Sequence, residues 1–309
     1  MRTMTAFVVQ RPGADTVASE RIAVPLAGPQ ELLVRIKAVG VGIHDSYFLP
    51  NDISFPFPIG IEAAGVVEEV GPAVIGYQVG DRIAFVSSMQ RKGGVWAEYA
   101  VVRTDALILP IPDGMSFERA AAVPVAGNTA LRALHPLSAI PTGGAIFMAG
   151  ASGAVGTFAV QLAHRRGWEV AASASPRNHD YLLALGAALA VDYQHPGWPE
   201  EVLRWRSEGV DGALAIQPQT TTDTLRVVKG GGTVVTVSGD QAAPVGGVHV
   251  TGIAYDVDVR ADAIALMDDI VSGAVKLIIE QVYPFADAPK ALAKVQTRRA
   301  RGKVVLSLA

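Results

Sequence analysis

The chain has 309 residues, half of them apolar, with 18% charged side chains and a formal net charge of −3. That length suits two domains around large cores, and so small a charge gives no footing for nucleic acid or a membrane surface. Cysteine is absent, which excludes disulfides and thiolate zinc sites and leaves nothing that requires an oxidising compartment.

The opening residues, MRTMTAFVVQ, lack a signal-like apolar core, and no later stretch is long and apolar enough to span a bilayer. A cytoplasmic protein is therefore expected. From Met4 to about Pro110 the chain reads as β-rich, with alternating or β-branched runs at Ala6 to Gln10, Glu31 to Val39, Gly65 to Val70 and Arg82 to Phe85. Turns built on Pro12-Gly13, Gly28-Pro29, Gly71-Pro72 and Gly80-Asp81 separate them, and the few helical stretches predict a small barrel-like domain. The loop Val41 to Leu49 carries His44, whose ordinary pKa near neutrality suits it to bind substrate or donate a proton. A surface histidine satisfied by backbone is the other reading of it.

Pro110 to Gly114 is a turn-rich hinge, after which Ser116 is placed to cap a helix over Phe117 to Val123. Asn128 and Thr129 suit the start of the next helix. The strongest local pattern follows at Ala145 to Tyr193. Ala145 to Ala149 is a short apolar run that reads as a buried parallel strand. Glycines stand at Gly150, Gly153 and Gly156, and Val155, Phe158, Ala159, Leu162 and Ala163 share one helical face. Gly167 stops that helix, and Val170 to Ala174 forms a second strand.

Strand, glycine turn, helix and strand make the βαβ unit that holds a dinucleotide. A diphosphate sits at the first turn of a helix only where backbone amides face it with no side chain between. The segment Ala151 to Gly156 reads A-S-G-A-V-G, with Ala151 where the usual fingerprint has its first glycine. This assigns Gly150, Ser152, Gly153, Ala154 and Val155 to the cofactor. The second strand runs out through Ser175 to Arg177 with no carboxylate before Asp180, whereas sites for NAD place an acid there. Hydroxyls and a guanidinium suit a 2′-phosphate, so NADPH is the predicted cofactor, with Ser175 and Arg177 as first contacts.

Further strands are predicted at Leu189 to Val191, Gly209 to Ile216 and Gly232 to Val237. Ligands of open parallel sheets gather at the carboxyl ends, which assigns Ile216, Gln217, Val237 and Ser238 to the nicotinamide side. A β segment spans Val248 to Asp258, followed by a helix over Ala261 to Val271, a strand over Lys276 to Tyr283 and a helix over Ala286 to Thr297. The basic cluster Arg298, Arg299 and Arg301 complements that helix's C-terminal dipole. Gly302 and Lys303 open the last strand, from which Lys303 is a candidate for the cofactor.

Together AGASGAVG, GIEAAGVVEEVG (Gly60 to Gly71), VGDRIAF (Val79 to Phe85), GGVWAEYAVV (Gly93 to Val102), VPVAGNTAL (Val123 to Leu131) and GKVVL (Gly302 to Leu306) resemble the zinc-independent quinone oxidoreductases. These zeta-crystallin-like proteins form a branch of the medium-chain dehydrogenase/reductases. The resemblance covers nearly the whole chain. It implies a mixed α/β and β fold, with a groES-like β-barrel catalytic domain over residues 1–113, completed by 275–309. A Rossmann domain with a doubly wound parallel sheet over residues 114–274 would bind NADP.

The resemblance also assigns roles. Tyr47 matches a tyrosine near the substrate, Asp45 belongs to the same loop in a catalytic or packing role, Thr129 lies beside the nicotinamide, and Tyr193 touches the adenosine phosphate. Gly42 replaces the asparagine usual in that loop. Laid on the zinc-dependent relatives, Gly42, Ile61 and, less securely, Val125 fall where metal ligands would be, and none can ligate zinc. Glu62, His44 and Asp45 leave a nonstandard metal site conceivable, but no metal is expected.

Without a metal, nothing strongly polarises an alcohol for hydride abstraction, so the expected partner is a small electrophilic acceptor, a quinone or an α,β-unsaturated carbonyl. Two other readings stay open: a metal-free reductase or dehydrogenase of other carbonyls or alcohols, and a protein that keeps NADPH but has lost turnover. A homodimer with a continuous sheet is also implied.

Overall fold

In the computed structural model, which describes residues 2–11, 14 and 16–308, the chain divides into two compact units. One comprises Met1–Val125 and Arg260–Ala309, the other Ala126–Val259. The expected turn at Pro12-Gly13 lies outside the described residues.

The first unit is β-rich. Its strands are β1 (Thr3–Val9), β2 (Ala18–Ala23), β3 (Glu31–Val41), β4 (Phe57–Pro58), β5 (Glu62–Val70), β6 (Arg82–Val86), β7 (Tyr99–Arg103) and β8 (Ile108–Pro110). The short helix α1 (Phe117–Ala121) follows, and Ser116 caps it by accepting the Arg119 N–H at 3.3 Å. Helix α2 (Pro124–Leu134) then carries the chain into the second unit.

That unit runs β9 (Ala145–Ala149), α3 (Ala154–Arg165), β10 (Glu169–Ala174), α4 (His179–Ala184), β11 (Leu189–Asp192), α5 (Trp198–Trp205), β12 (Val210–Ala215), α6 (Thr221–Leu225), β13 (Val228–Thr236) and β14 (His249–Gly252). The chain returns to the first unit with α7 (Arg260–Ser272), β15 (Ile279–Pro284), α8 (Ala288–Gln296) and β16 (Lys303–Ser307).

In the first unit β15-β16-β3-β5-β6-β8 form one sheet, with β7 pairing β3, while β2-β1-β4 form a second. Strand β3 is the hub. Its eleven residues pair antiparallel with β5, β7 and β16, and eight of them are buried. This explains the near-continuous run LLV and AVGV where an exposed strand would alternate. Strand β2, by contrast, sits at an edge with a polar, mostly exposed sequence, and its pattern carries no apolar signal for a sequence reading to find.

The six strands of the second unit are all parallel, in the order β11-β10-β9-β12-β13-β14. This is the doubly wound Rossmann arrangement, in which the order reverses between the first strand, β9, and the fourth, β12. Strand β9 is buried at all five positions. Phe147 stacks on Trp198 of α5 with centroids 4.9 Å apart, a contact worth about 1 kcal/mol beyond its buried area. Strand β13 begins at Val228, ahead of Gly230, Gly231 and Gly232. Strand β14 has only four residues, fewer than the Val248 to Asp258 run suggests. No helix among the described residues is long and apolar enough to cross a membrane.

Candidate active site

The glycine turn lies at the carboxyl end of β9, where the strand order reverses. Gly150 takes φ of +81°, a conformation open to glycine, and its N–H donates to Ser173 Oγ at 3.4 Å. The Ala151 N–H donates to the Ser173 carbonyl at 3.2 Å, so Ser173 on β10 holds the turn, a role that its place inside a strand conceals. Gly153 is the N-cap of α3 and no side chain caps it. The N–H groups of the first helical turn have no partner within the helix, and Ala154 and Val155 belong to that turn. A Cβ on Gly153 would meet no clash, only ordinary contacts with the Gly150 carbonyl at 3.9 Å and Gln217 Nε2 at 4.0 Å. The bare helix end and its empty cradle fit a diphosphate. Gly156 has the opposite surroundings: a Cβ there would stand 2.5 Å from Ala151 Cα.

The neighbouring strand ends converge on this turn. The Ile216 N–H donates to the Ala149 carbonyl at 3.1 Å, and Val237 and Ser238 donate to the Ala215 carbonyl at 2.9 and 3.4 Å. Thr236 Oγ1 and Ser238 Oγ are buried with no hydrogen-bond partner, as side chains prepared for a ligand would be. Gln217 lies over the glycine turn, so that a Cβ on Gly150 would be 3.4 Å from Gln217 Cδ. Gln217, expected on the nicotinamide side, lies against Gly150 of the glycine turn.

At the end of β10, Ser175 Oγ accepts from Asn178 Nδ2 at 3.3 Å, and Arg177 is exposed. Tyr193, just past β11, is 55% exposed. Parallel pairing brings Asp192 level with Ala174, a carboxylate that sequence distance hides. Asp192 Oδ1 accepts from the Gln194 N–H at 3.0 Å. Asn128 and Thr129 do not start a helix, because α2 begins at Pro124 and places both in its second turn. Asn128 Oδ1 instead accepts from Arg132 Nε at 2.9 Å, and Arg132 also donates to the Ala254 carbonyl at 3.0 Å and to that of Tyr255.

In the β-rich unit, the loop after β3 presents His44 and Tyr47 to solvent, with their rings edge to face at 5.3 Å. Burial pushes the His44 imidazole below its ordinary range, and Arg298 and Lys303 add to that effect. It is therefore a neutral donor or acceptor near pH 7. Asp45 is fully buried, with Oδ2 accepting from the Gly42 N–H and from Trp96 Nε1, both at 3.0 Å. Its Oδ1 is buried without a partner. Burial raises this carboxyl to about pKa 7.

Lys303, expected at the cofactor, is 4% exposed, with its ammonium on Glu62 Oε1. The other carboxylate oxygen accepts the Val125 N–H at 2.7 Å. The ammonium is thus committed to a buried carboxylate, which would otherwise be left uncompensated in the core. No feature near either residue in sequence announces a pair 241 positions apart. Among the described residues no three His, Asp or Glu side chains gather as a metal-binding set. With Glu62 engaged on both oxygens and Gly42 and Ile61 lacking donor atoms, these residues do not fit a zinc centre.

The sheet order, the bare glycine turn and the β-rich unit define a dehydrogenase fold, and comparison with known proteins agrees. Residues 28–113 match the model for the alcohol dehydrogenase GroES-like domain, and residues 185–306 match that described as zinc-binding dehydrogenase. A trans-enoyl reductase, tazE, of Aspergillus terreus is 36% identical over 254 residues, covering 73% of this chain and 82% of its own. A quinone oxidoreductase of Pseudomonas aeruginosa is 30% identical over 306 residues, covering 90% and 91%. The solved quinone oxidoreductase of Pseudomonas syringae pv. Tomato superposes with a TM-score of 0.86 at 28% identity, covering 98% of this chain and 99% of that one. The chain belongs to the medium-chain dehydrogenase/reductase superfamily, in its quinone-oxidoreductase-like branch. It is an oxidoreductase that uses a nicotinamide cofactor.

Proposed function

We propose that the protein is a zinc-independent, NADPH-dependent reductase of quinones or of C=C bonds conjugated to a carbonyl. The observation that carries this reading is the chemistry of the two sites: an uncapped glycine turn followed by Ser175 and Arg177, and, among the described residues, no donor set for a metal. The bound nicotinamide supplies hydride; the protein supplies position and a controlled environment. The first-turn amides of α3 would hold the diphosphate. Ser175 and Arg177 would take the 2′-phosphate through charge-assisted hydrogen bonds, Tyr193 would touch the adenosine phosphate, and Thr129 and the buried hydroxyl of Ser238 would contact the nicotinamide side.

Residues that offer no zinc donors at Gly42 and Ile61 favour a substrate that is electrophilic already over an alcohol that a Lewis acid would have to activate. The exposed His44 and Tyr47 are the groups within the loop that could bind it and pass a proton to the reduced product. Asp45 has no exposed atom and is the internal support of that loop. The trans-enoyl reductase among the relatives favours a conjugated C=C acceptor.

The test is NADPH and NADH oxidation by chelator-treated protein against a panel of quinones, enones and aldehydes. The reading predicts turnover of quinones or enones, a preference for NADPH, and a preference that falls about tenfold or more in Arg177→Ala. Turnover restricted to aldehydes or alcohols, or lost on chelation and restored by zinc, would overturn it. An unchanged coenzyme ratio in the variant would remove Arg177 from its role.

A further inference from the structure

We infer that Gln217 is a binding residue for the cofactor's diphosphate, closing over the glycine turn from the neighbouring strand. This rests on the reading of the second unit as a dinucleotide site. Gln217 follows β12 and Gly150 follows β9, the two strands between which the sheet order reverses. Ligands of doubly wound sheets enter the crevice at that point.

The side chain of Gln217 runs across Gly150 toward Gly153. A Cβ on Gly150 would collide with Gln217 Cγ and stand 3.3 Å from its Cβ. The Gly150 position is thus closed to any larger residue by this side chain as well as by its φ of +81°. Gln217 Nε2 lies 4.0 Å from where a Cβ on Gly153 would be, and the Gly150 carbonyl lies 3.9 Å from it. These are the nearest atoms to an otherwise open space at the uncapped start of the twelve-residue helix α3.

An anion seated there would face the helix amides on one side and a carboxamide on the other. The side-chain amide of Gln217 makes no hydrogen bond among the described residues, so its two N–H donors are available. The Gln217 carbonyl, by contrast, accepts from Thr220 Oγ1 at 2.7 Å, which fixes the backbone from which the side chain projects. A neutral donor on a fixed strand end adds one hydrogen bond to a charged group without bringing a cation that would bind competing anions.

Isothermal titration of the whole protein with NADPH and, separately, with adenosine 2′-monophosphate, which lacks the diphosphate, tests this. Gln217→Ala is expected to weaken NADPH binding roughly tenfold and to leave the monophosphate unaffected. Gln217→Glu, nearly the same shape but charged, is expected to weaken it further. Thermal unfolding of both variants reports whether the turn keeps its fold, and the isosteric glutamate variant carries the test if alanine perturbs it. Unchanged NADPH affinity in both variants overturns the proposal, as does tighter binding by Gln217→Ala, which would make the side chain an obstruction. If the wild-type protein binds no dinucleotide, the cofactor reading itself falls and the role of Gln217 with it.

Discussion

Asp45 shows how one carboxyl group can be both an anchor and a liability. Its Oδ2 takes two hydrogen bonds, from the Gly42 N–H and from Trp96, while its Oδ1 takes none. Glu62 and Lys303 face it with opposite charges that leave the burial penalty dominant, so the group holds its proton up to about pH 7. A carboxyl whose folded pKa lies above its unfolded value stabilises the fold fully below the unfolded pKa, near 4, and loses that contribution as pH rises through the folded value. The shift corresponds to roughly 4 kcal/mol across that window. Asp45→Asn keeps the acceptor for Gly42 and Trp96 and cannot ionise. Urea titrations from pH 4 to 8 should show wild-type stability falling relative to the variant as pH rises; a difference that stays flat across the range contradicts this account. The sequence offers Asp45 a catalytic or a packing role in a mixed loop, VGIHDSYFL, and nothing in it chooses burial. The burial that decides its state is made by residues far off in sequence: Trp96, which donates to its Oδ2, is 51 positions away, and Lys303 lies near the other end of the chain.

At the scale of elements, the β9–turn–α3–β10 unit was the most legible part of the chain, because every signal in it is local. An apolar run, spaced glycines and a 3.6-residue period need no distant partner to be read. The start of α2 was misplaced because Asn128 and Thr129 have the chemistry of a cap, while the structure uses Pro124 for the first turn and spends Asn128 on Arg132. The glycines of the turn separate fold from function. Gly156→Ala puts a Cβ 2.5 Å from Ala151 Cα and 2.6 Å from its carbonyl carbon, backbone atoms that cannot swing aside. Such overpacking costs about 1–3 kcal/mol, so the urea midpoint should drop. Gly153→Ala adds a methyl that clashes with nothing, at φ of −81°. Its stability should fall by no more than about 1 kcal/mol, the cost of alanine in place of glycine at an N-cap, while dinucleotide affinity falls, because the methyl enters the cradle. Equal stability losses in the two variants would contradict the distinction.

For the molecule as a whole, β14 is one open edge of the parallel sheet. It pairs with β13 on one side only, and its four residues are mostly exposed. An open parallel-sheet edge invites pairing with another chain unless it is covered or blocked by charge. Neither lysine nor proline occurs in His249–Gly252. Val245 and Tyr255, which flank the strand, are 62% and 77% exposed, while Arg132 fixes the backbone at Ala254 and Tyr255. The homodimer that the family resemblance implies would join two such edges about a two-fold axis, where each residue near the axis meets the same surface of the second copy. Tyr255→Glu would then place two like charges in one interface, at a site where the aromatic ring otherwise adds apolar area to it. Light scattering at low micromolar concentration should give the mass of two chains for the wild type and a shift toward one chain for Tyr255→Glu, reversed in part by high salt. A wild-type mass of one chain at every concentration would leave β14 a solvated edge.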